Sequence, residues 1–159
     1  MNHRTKRILF KHYALIASSA FAAAILLFIG EFLSWTKFAG IAAGTFAFAF
    51  GVQKQILAET KLFKKLFEQF NTRYDEMNDD MNSVCRDSES PLTDVEIKTL
   101  YKYFNLCGEE YLYYQKGFIC KEVWRAWNNG MKFFRQNPRI KRLWDEDLKD
   151  NDSYYGLTF

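Results

Sequence analysis

The chain has little with which to perform covalent chemistry. Histidine occurs only at His3 and His12, and cysteine only at Cys85, Cys107 and Cys120. No group of these has the spacing of zinc ligands, and an odd number of cysteines in a cytoplasmic segment reads as free thiols. A glycine-rich phosphate loop, a G-x-S-x-G elbow and a nucleophile beside a histidine are all missing. The common enzyme classes are thereby excluded. We expect no catalytic residue, no metal site, no cofactor and no small-molecule substrate. The paired acids Asp79–Asp80 and Glu109–Glu110 read as solvated helix surface. Proline occurs twice in 159 residues and no alternating strand pattern appears, so the expected fold is all-α.

Charge is also missing, from two runs near one end. Tyr13–Gly30 has 18 residues and no charge. At a rise of about 1.5 Å per residue it reaches roughly 27 Å, close to the hydrocarbon thickness of a bilayer. Phe38–Gln53 has 16 uncharged residues. It reaches about 24 Å alone, and Phe32, Leu33 and Trp35 extend it, with Lys37 placed to snorkel. A core helix rarely runs so far without a polar face. A signal peptide has a shorter apolar region followed by a small-residue cleavage site, which is absent here. A transmembrane helical hairpin over 1–52 is expected, with a short turn near Gly30–Ser34. Arg4, Lys6, Arg7 and Lys11 precede the first run, and Lys54, Lys61, Lys64 and Lys65 follow the second. The turn offers only Glu31 and Lys37. The positive-inside rule then gives a multi-pass protein of the inner (plasma) membrane with both termini cytoplasmic. The negative mean hydropathy excludes a polytopic transporter.

Small residues recur at helical spacing in the second run, at Gly40, Gly44, Ala47 and Gly51. Ser18 and Ala22, with Ala14, offer a matching strip in the first. Such faces let backbones approach in lipid. They serve either packing of the two spans within one chain or packing between copies, which makes a homo-oligomer. Neither run holds Asp, Glu or Arg, so no selectivity ring or proton relay is present.

Residues 53–90 form a second segment. Gly and Pro are absent from 53–86, and Ile56, Phe63, Phe70, Met77 and Val84 recur every seven. Thr60, Phe67, Tyr74 and Met81 each follow by four, a heptad seam for a coiled coil or for packing on the chain's own later helices. KLFKKLF also suits a membrane surface. CRDSESP, 85–91, is the linker candidate. A cytoplasmic helical domain over 91–159 follows. Thr93 and Glu96 form a capping box opening a helix that stops at Gly117, with a local weakness at Gly108. A second helix is expected over Ile119–Gln136 and a short third after Asn137–Pro138. The acidic tail DEDLKDNDS ends in YYGLTF, which either tucks against the domain or orders on binding.

Net charge is only +3, too small for a general nucleic-acid binder, but it is unevenly spread. Residues 71–96 hold eight acids against two bases, and 116–142 hold eight bases against Glu122 alone. Within the basic stretch Lys121, Trp124, Arg125, Trp127, Lys132, Arg135, Arg139 and Arg142 are candidates for a partner or nucleic-acid surface, cations meeting phosphates and rings meeting bases. Anionic lipid is a second use. The plain alternative places the tryptophans in a core and leaves the cations solvated or paired with the 71–96 acids.

The run YFNLCGEEYLYYQKGFICKEVWRAWNNGM, Tyr103–Met131, resembles a pattern in small bacterial membrane-anchored proteins with one or two N-terminal spans and a cytoplasmic helical domain. The matching features are the Tyr-Phe-Asn-Leu start, Glu109–Glu110, Gly117, and Trp124 and Trp127 before Gly130–Met131. The two-span architecture is similar to that of effectors of bacterial anti-phage systems, retron-associated ones among them. That resemblance implies an antiviral toxin with no catalytic residue. A cytoplasmic protein or nucleoprotein partner would hold it silent, such as a reverse transcriptase with its DNA or RNA product. On release it would oligomerise and disrupt the inner membrane. The alternative is a non-toxic membrane-tethered adaptor or scaffold that recruits a cytoplasmic partner.

Overall fold

Neither proline interrupts a helix. The computed structural model describes residues 3–149 and 153–159. The side chains of 3–7, including the Arg4, Lys6 and Arg7 charges, and residues 150–152 of the acidic tail lie outside the described residues. The protein is all-α, with no strand among the described residues: α1 His3–Ile29, α2 Trp35–Arg86, α3 Asp94–Gln115, α4 Lys121–Phe134, α5 Pro138–Asp147, and a short turn Ser153–Gly156. Pro91 lies in the loop after α2, and Pro138 takes the first position of α5, where its missing N–H has no helical partner to lose. Two units pack separately, Met1–Lys61 and Leu62–Phe159, and the division falls inside α2.

In the first unit, α1 ends in a tight turn. The Phe32 N–H donates to the Leu27 carbonyl and the Glu31 N–H to that of Phe28, the two bonds of a Schellman motif. Glu31, not Gly30, holds the left-handed position, at φ 60°. α1 and α2 meet along a heptad seam. Ala17 and Ala24 are buried on α1, with Tyr13, Phe21 and Phe28 beside them; Val52 is buried on α2, with Phe38, Ala42, Thr45 and Ala49 half-buried. Phe28 and Phe38 stack at 4.8 Å, and Phe21 meets the edge of Phe46 at 5.6 Å. The expected strip on α1 is corrected: Ala14, Ser18 and Ala22 are exposed, because the larger Phe21 and Phe28 set the seam and bring Ala17 and Ala24 into it.

In the second unit the later part of α2 is covered by the chain's own helices. Met81 and Val84 join Leu100, Tyr103, Phe104, Cys107, Met131, Phe134, Ile140, Trp144 and Leu157 in one core; Leu66 and Phe70 join Leu106 and Ile119 in another. Of the expected seam, Phe67 is 38 % exposed, and Leu66, one residue earlier, takes the buried place. Phe104 and Trp144 stack at 4.4 Å. The Thr93 capping box forms, its Glu96 carboxylate accepting from the Thr93 N–H at 2.7 Å. α3 stops at Gly117, φ 76°, through a second Schellman pair, Phe118 N–H to Tyr113 and Gly117 N–H to Tyr114.

Gly108 acquires a role beyond helix weakness. A Cβ there would lie 2.9 Å from the Tyr154 Cβ and 3.2 Å from its Cα. The C-terminal segment thus lies directly on α3. Leu157 is buried beneath it, Phe159 meets the edge of Trp144 at 4.8 Å, and the Tyr154 hydroxyl donates to Asp147.

Candidate functional site

Two surfaces and one clamp account for the residues singled out in the sequence. The first surface is on the hairpin. α1 over Ile8–Ile29 and the first part of α2 are long and apolar enough to cross a membrane. Only 11 % and 6 % of their most apolar windows are buried, whereas a soluble protein's core helix is mostly covered. Leu15, Leu26, Ile29, Phe46 and Phe50 are 66–72 % exposed, large apolar side chains that water does not favour.

Gly40, Gly44, Ala47 and Gly51 are exposed on α2. At about 100° per residue their face points roughly 150° away from the seam of Phe38, Ala42, Thr45, Ala49 and Val52. A Cβ placed at Gly40, Gly44 or Gly51 would meet nothing within 4 Å. None of the three is in close contact within the chain, although Gly44 borders a groove shared with Ile16, Ala17 and Ala20 of α1.

The second surface is what remains of the basic aromatic stretch, which the fold divides. On α4, Lys121, Arg125 and Lys132 fall within about 40° of one another on one face, and the strip is about 17 Å long. All three are exposed, as is Arg142 on α5; Lys121 and Arg125 attract the neighbouring Glu122, the one acid of α4. Val123, Trp127 and Phe134 occupy the opposite face, with Trp124 and Met131 on the flank between. Trp124 stacks on Tyr114 at 5.1 Å, and Trp127 on Phe67 at 6.0 Å and edge-on to Phe70 at 5.6 Å. Both rings are half-buried in packing. Arg135 is half-buried, paired with Asp145 and lying 4.9 Å over the Phe159 ring.

Arg139 leaves the surface altogether, at 3 % exposure. Its guanidinium donates to the carbonyls of Val84 at 3.3 Å, Asp87 at 3.2 Å and Pro91 at 3.2 Å, and to both Glu96 oxygens at 3.0 Å. Asn137 caps α5 by accepting from the Arg139 N–H and, through its amide, donates to the Asp87 carbonyl at 3.0 Å. Residues 137–139 thus close the carbonyl end of α2, where the helix dipole favours a cation. Asp87 is pulled down to about 2, mainly by the Glu89 N–H. Glu96 is lowered first by the Thr93 N–H, then by the Thr93 hydroxyl and by Arg139.

The acidic pair Glu109–Glu110 also divides. Glu109 accepts two bonds from Arg73, at 2.6 and 3.1 Å, and this partner raises the Arg73 guanidinium. Glu110 is not the solvated surface expected of it: it is 6 % exposed, and burial raises it to about 8 against the attraction of Arg73. The spacing of Tyr103, Cys107, Glu110 and Tyr114, steps of four, three and four, was the available signal that Glu110 lies on the buried stripe of α3. Among the described residues no cluster of His, Cys, Asp and Glu could hold a metal. No family model, curated protein or solved structure matches the chain.

Proposed function

We propose that this chain is a two-span protein of the bacterial inner membrane, both ends cytoplasmic, and that it acts as an effector. The hairpin self-associates through Gly40, Gly44, Ala47 and Gly51 and breaches the membrane; the helical unit answers to a cytoplasmic partner that restrains or releases it. The bare glycine face carries this reading. A glycine inside a helix costs about 1 kcal/mol relative to alanine, and nothing within the chain offsets that cost at these three positions. In lipid such a face is the usual site of close helix–helix approach, because apolar burial no longer drives association there. Lys11 before the first span and Lys54, Lys61, Lys64 and Lys65 after the second support the orientation. The exposed Lys121, Arg125, Lys132 strip, with only Glu122 beside it, supports a partner of negative charge, and the resemblance to anti-phage effectors supplies the setting. An adaptor that self-associates through the α2 heptads has less support, since α3 and α4 cover that seam.

The test is membrane potential, read with a voltage-sensitive dye after induced expression with any partner gene deleted. The wild type is expected to collapse the potential, and Gly40→Leu combined with Gly44→Leu to preserve it at equal membrane abundance. A harmless wild type would sink the effector reading and leave the adaptor. Equal collapse by both proteins would remove the glycine face from the mechanism.

A further inference from the structure

A cavity of ≈ 210 Å³ lies in the second unit, lined by Asn71 and Tyr74 of α2, Tyr103 and Glu110 of α3, and Ala126, Trp127, Gly130 and Met131 of α4. It is larger than the roughly 150 Å³ that holds a benzene ring and smaller than the ~300 Å³ at which drug-sized sites begin. Three of its lining residues are aromatic, Tyr74, Tyr103 and Trp127. Its one acidic group is Glu110, a residue 6 % exposed; no protein group among the described residues hydrogen-bonds its carboxyl, whose oxygens keep contact with solvent. The neighbouring acid, Glu109, holds Arg73 in a two-bond pair, so the nearest cation is already engaged elsewhere.

A mostly buried carboxyl whose only donors are water is weakly compensated, and aromatic residues lining the same cavity favour positive charge beside it. We propose that this cavity is a binding site for a small organic cation, an alkylammonium or alkylguanidinium, with Glu110 as its counter-charge, Tyr74, Tyr103 and Trp127 as its walls, and Asn71 as a polar contact. The inference stands on this unit alone and does not need the membrane reading.

The groups around Glu110 decide how binding depends on pH. From α2 they are Arg73 and Tyr74; from α3, Tyr103, Cys107 and Glu109; α4 contributes only Ala126, Trp127, Gly130 and Met131, none of them titratable. The tyrosines and Cys107 are raised by burial and stay neutral, so Glu110 is the group that changes charge. Without ligand its carboxyl keeps its proton to about 8. A cation binds the ionised form, so binding releases that proton. Affinity should rise about tenfold from about pH 7 to about pH 9 and then level off.

The probe is methylguanidinium, titrated into the full chain in detergent micelles by calorimetry, with methylurea as its neutral isostere. Carboxyl-labelled glutamate, observed by carbon NMR, follows Glu110, whose resonance is the one absent from Glu110→Gln. Methylguanidinium should bind, methylurea should not, Glu110→Gln should bind at least tenfold more weakly, and the Glu110 midpoint should fall by at least one pH unit when the site is filled. Glutamine matches the neutral acid in size and leaves the cavity intact. If that variant nevertheless fails to fold, the pH profile and midpoint of the wild type decide alone. Equal binding of methylurea, or a Glu110 midpoint indifferent to methylguanidinium, would overturn the site and leave the cavity to water.

Discussion

Arg139→Met separates a structural arginine from a recognition arginine. The side chain is buried and serves four acceptors from three segments, the end of α2, the loop at Pro91 and the start of α3. Not all of these are lost equally. Asn137 still reaches the Asp87 carbonyl, and Pro91 is exposed, so water replaces the arginine there. What remains is the charge-assisted bond to Glu96, worth about 1.5–3 kcal/mol, and the cation at a helix C-terminus, worth about 1. Methionine returns part of this by filling the space with apolar atoms, so a net loss of about 3 kcal/mol is expected, and Arg139→Lys should recover about half. The assay is chemical unfolding of the full chain in micelles, followed by near-ultraviolet circular dichroism, which reads the packing of Trp144 on Phe104. Lys121→Ala with Arg125→Ala is the control and should stay within about 0.5 kcal/mol of the wild type. If Arg139→Met also stays within that margin, the clamp is not what holds α2, α3 and α5 together. Arg139 would then return to the set of surface cations.

Gly108→Ala should destabilise the second unit by about 1–2 kcal/mol, because the gain in helix propensity is smaller than the cost of moving the Tyr154 backbone; a stabilised variant, measured by the same unfolding assay, would refute the close approach. Stability should also fall as pH rises from about 4.5 to about 8. Glu110 keeps its proton in the fold and loses it on unfolding over that window, so the slope is at most about 1.4 kcal/mol per pH unit, and Glu110→Gln should flatten it. On the acid side, the lowered Asp87, Glu96 and Asp145 contribute stability that is lost as pH falls below about 4, which places the optimum at about pH 4.5 in an unfolding series. Glu31→Gly should strengthen the hairpin by about 0.5–1 kcal/mol by relieving a left-handed glutamate, read as a higher SDS concentration at half-unfolding.

What could be read from the sequence was local. The Thr93 capping box, the Gly117 stop, the Asn137–Pro138 start and the two uncharged runs each depend on residues within a few positions of one another. The structure places each where those few positions put it. What could not be read depended on partners far away in the chain. Arg139 and Arg142 are three residues apart in one basic run, yet one is buried beneath carbonyls more than fifty residues earlier and the other faces solvent. The basic run was recognisable by composition, but its division into a clamp, a core-facing side and an exposed strip follows from which helices cover it.

Glycine shows the same limit more sharply. Gly108 and Gly44 are the same residue type in the same backbone conformation, and a propensity scale charges both alike. At Gly108 the reason is an approach of 2.9 Å by a segment forty-six residues later; at Gly44 a Cβ would meet nothing within 4 Å. A helix interior tolerates glycine without loss only where another backbone comes close. Within this chain that condition is met once in α3 and not at all along the hairpin stripe, although the stripe repeats glycine three times on one face. The missing neighbour of Gly40, Gly44 and Gly51 is therefore the feature that a second hairpin would have to supply.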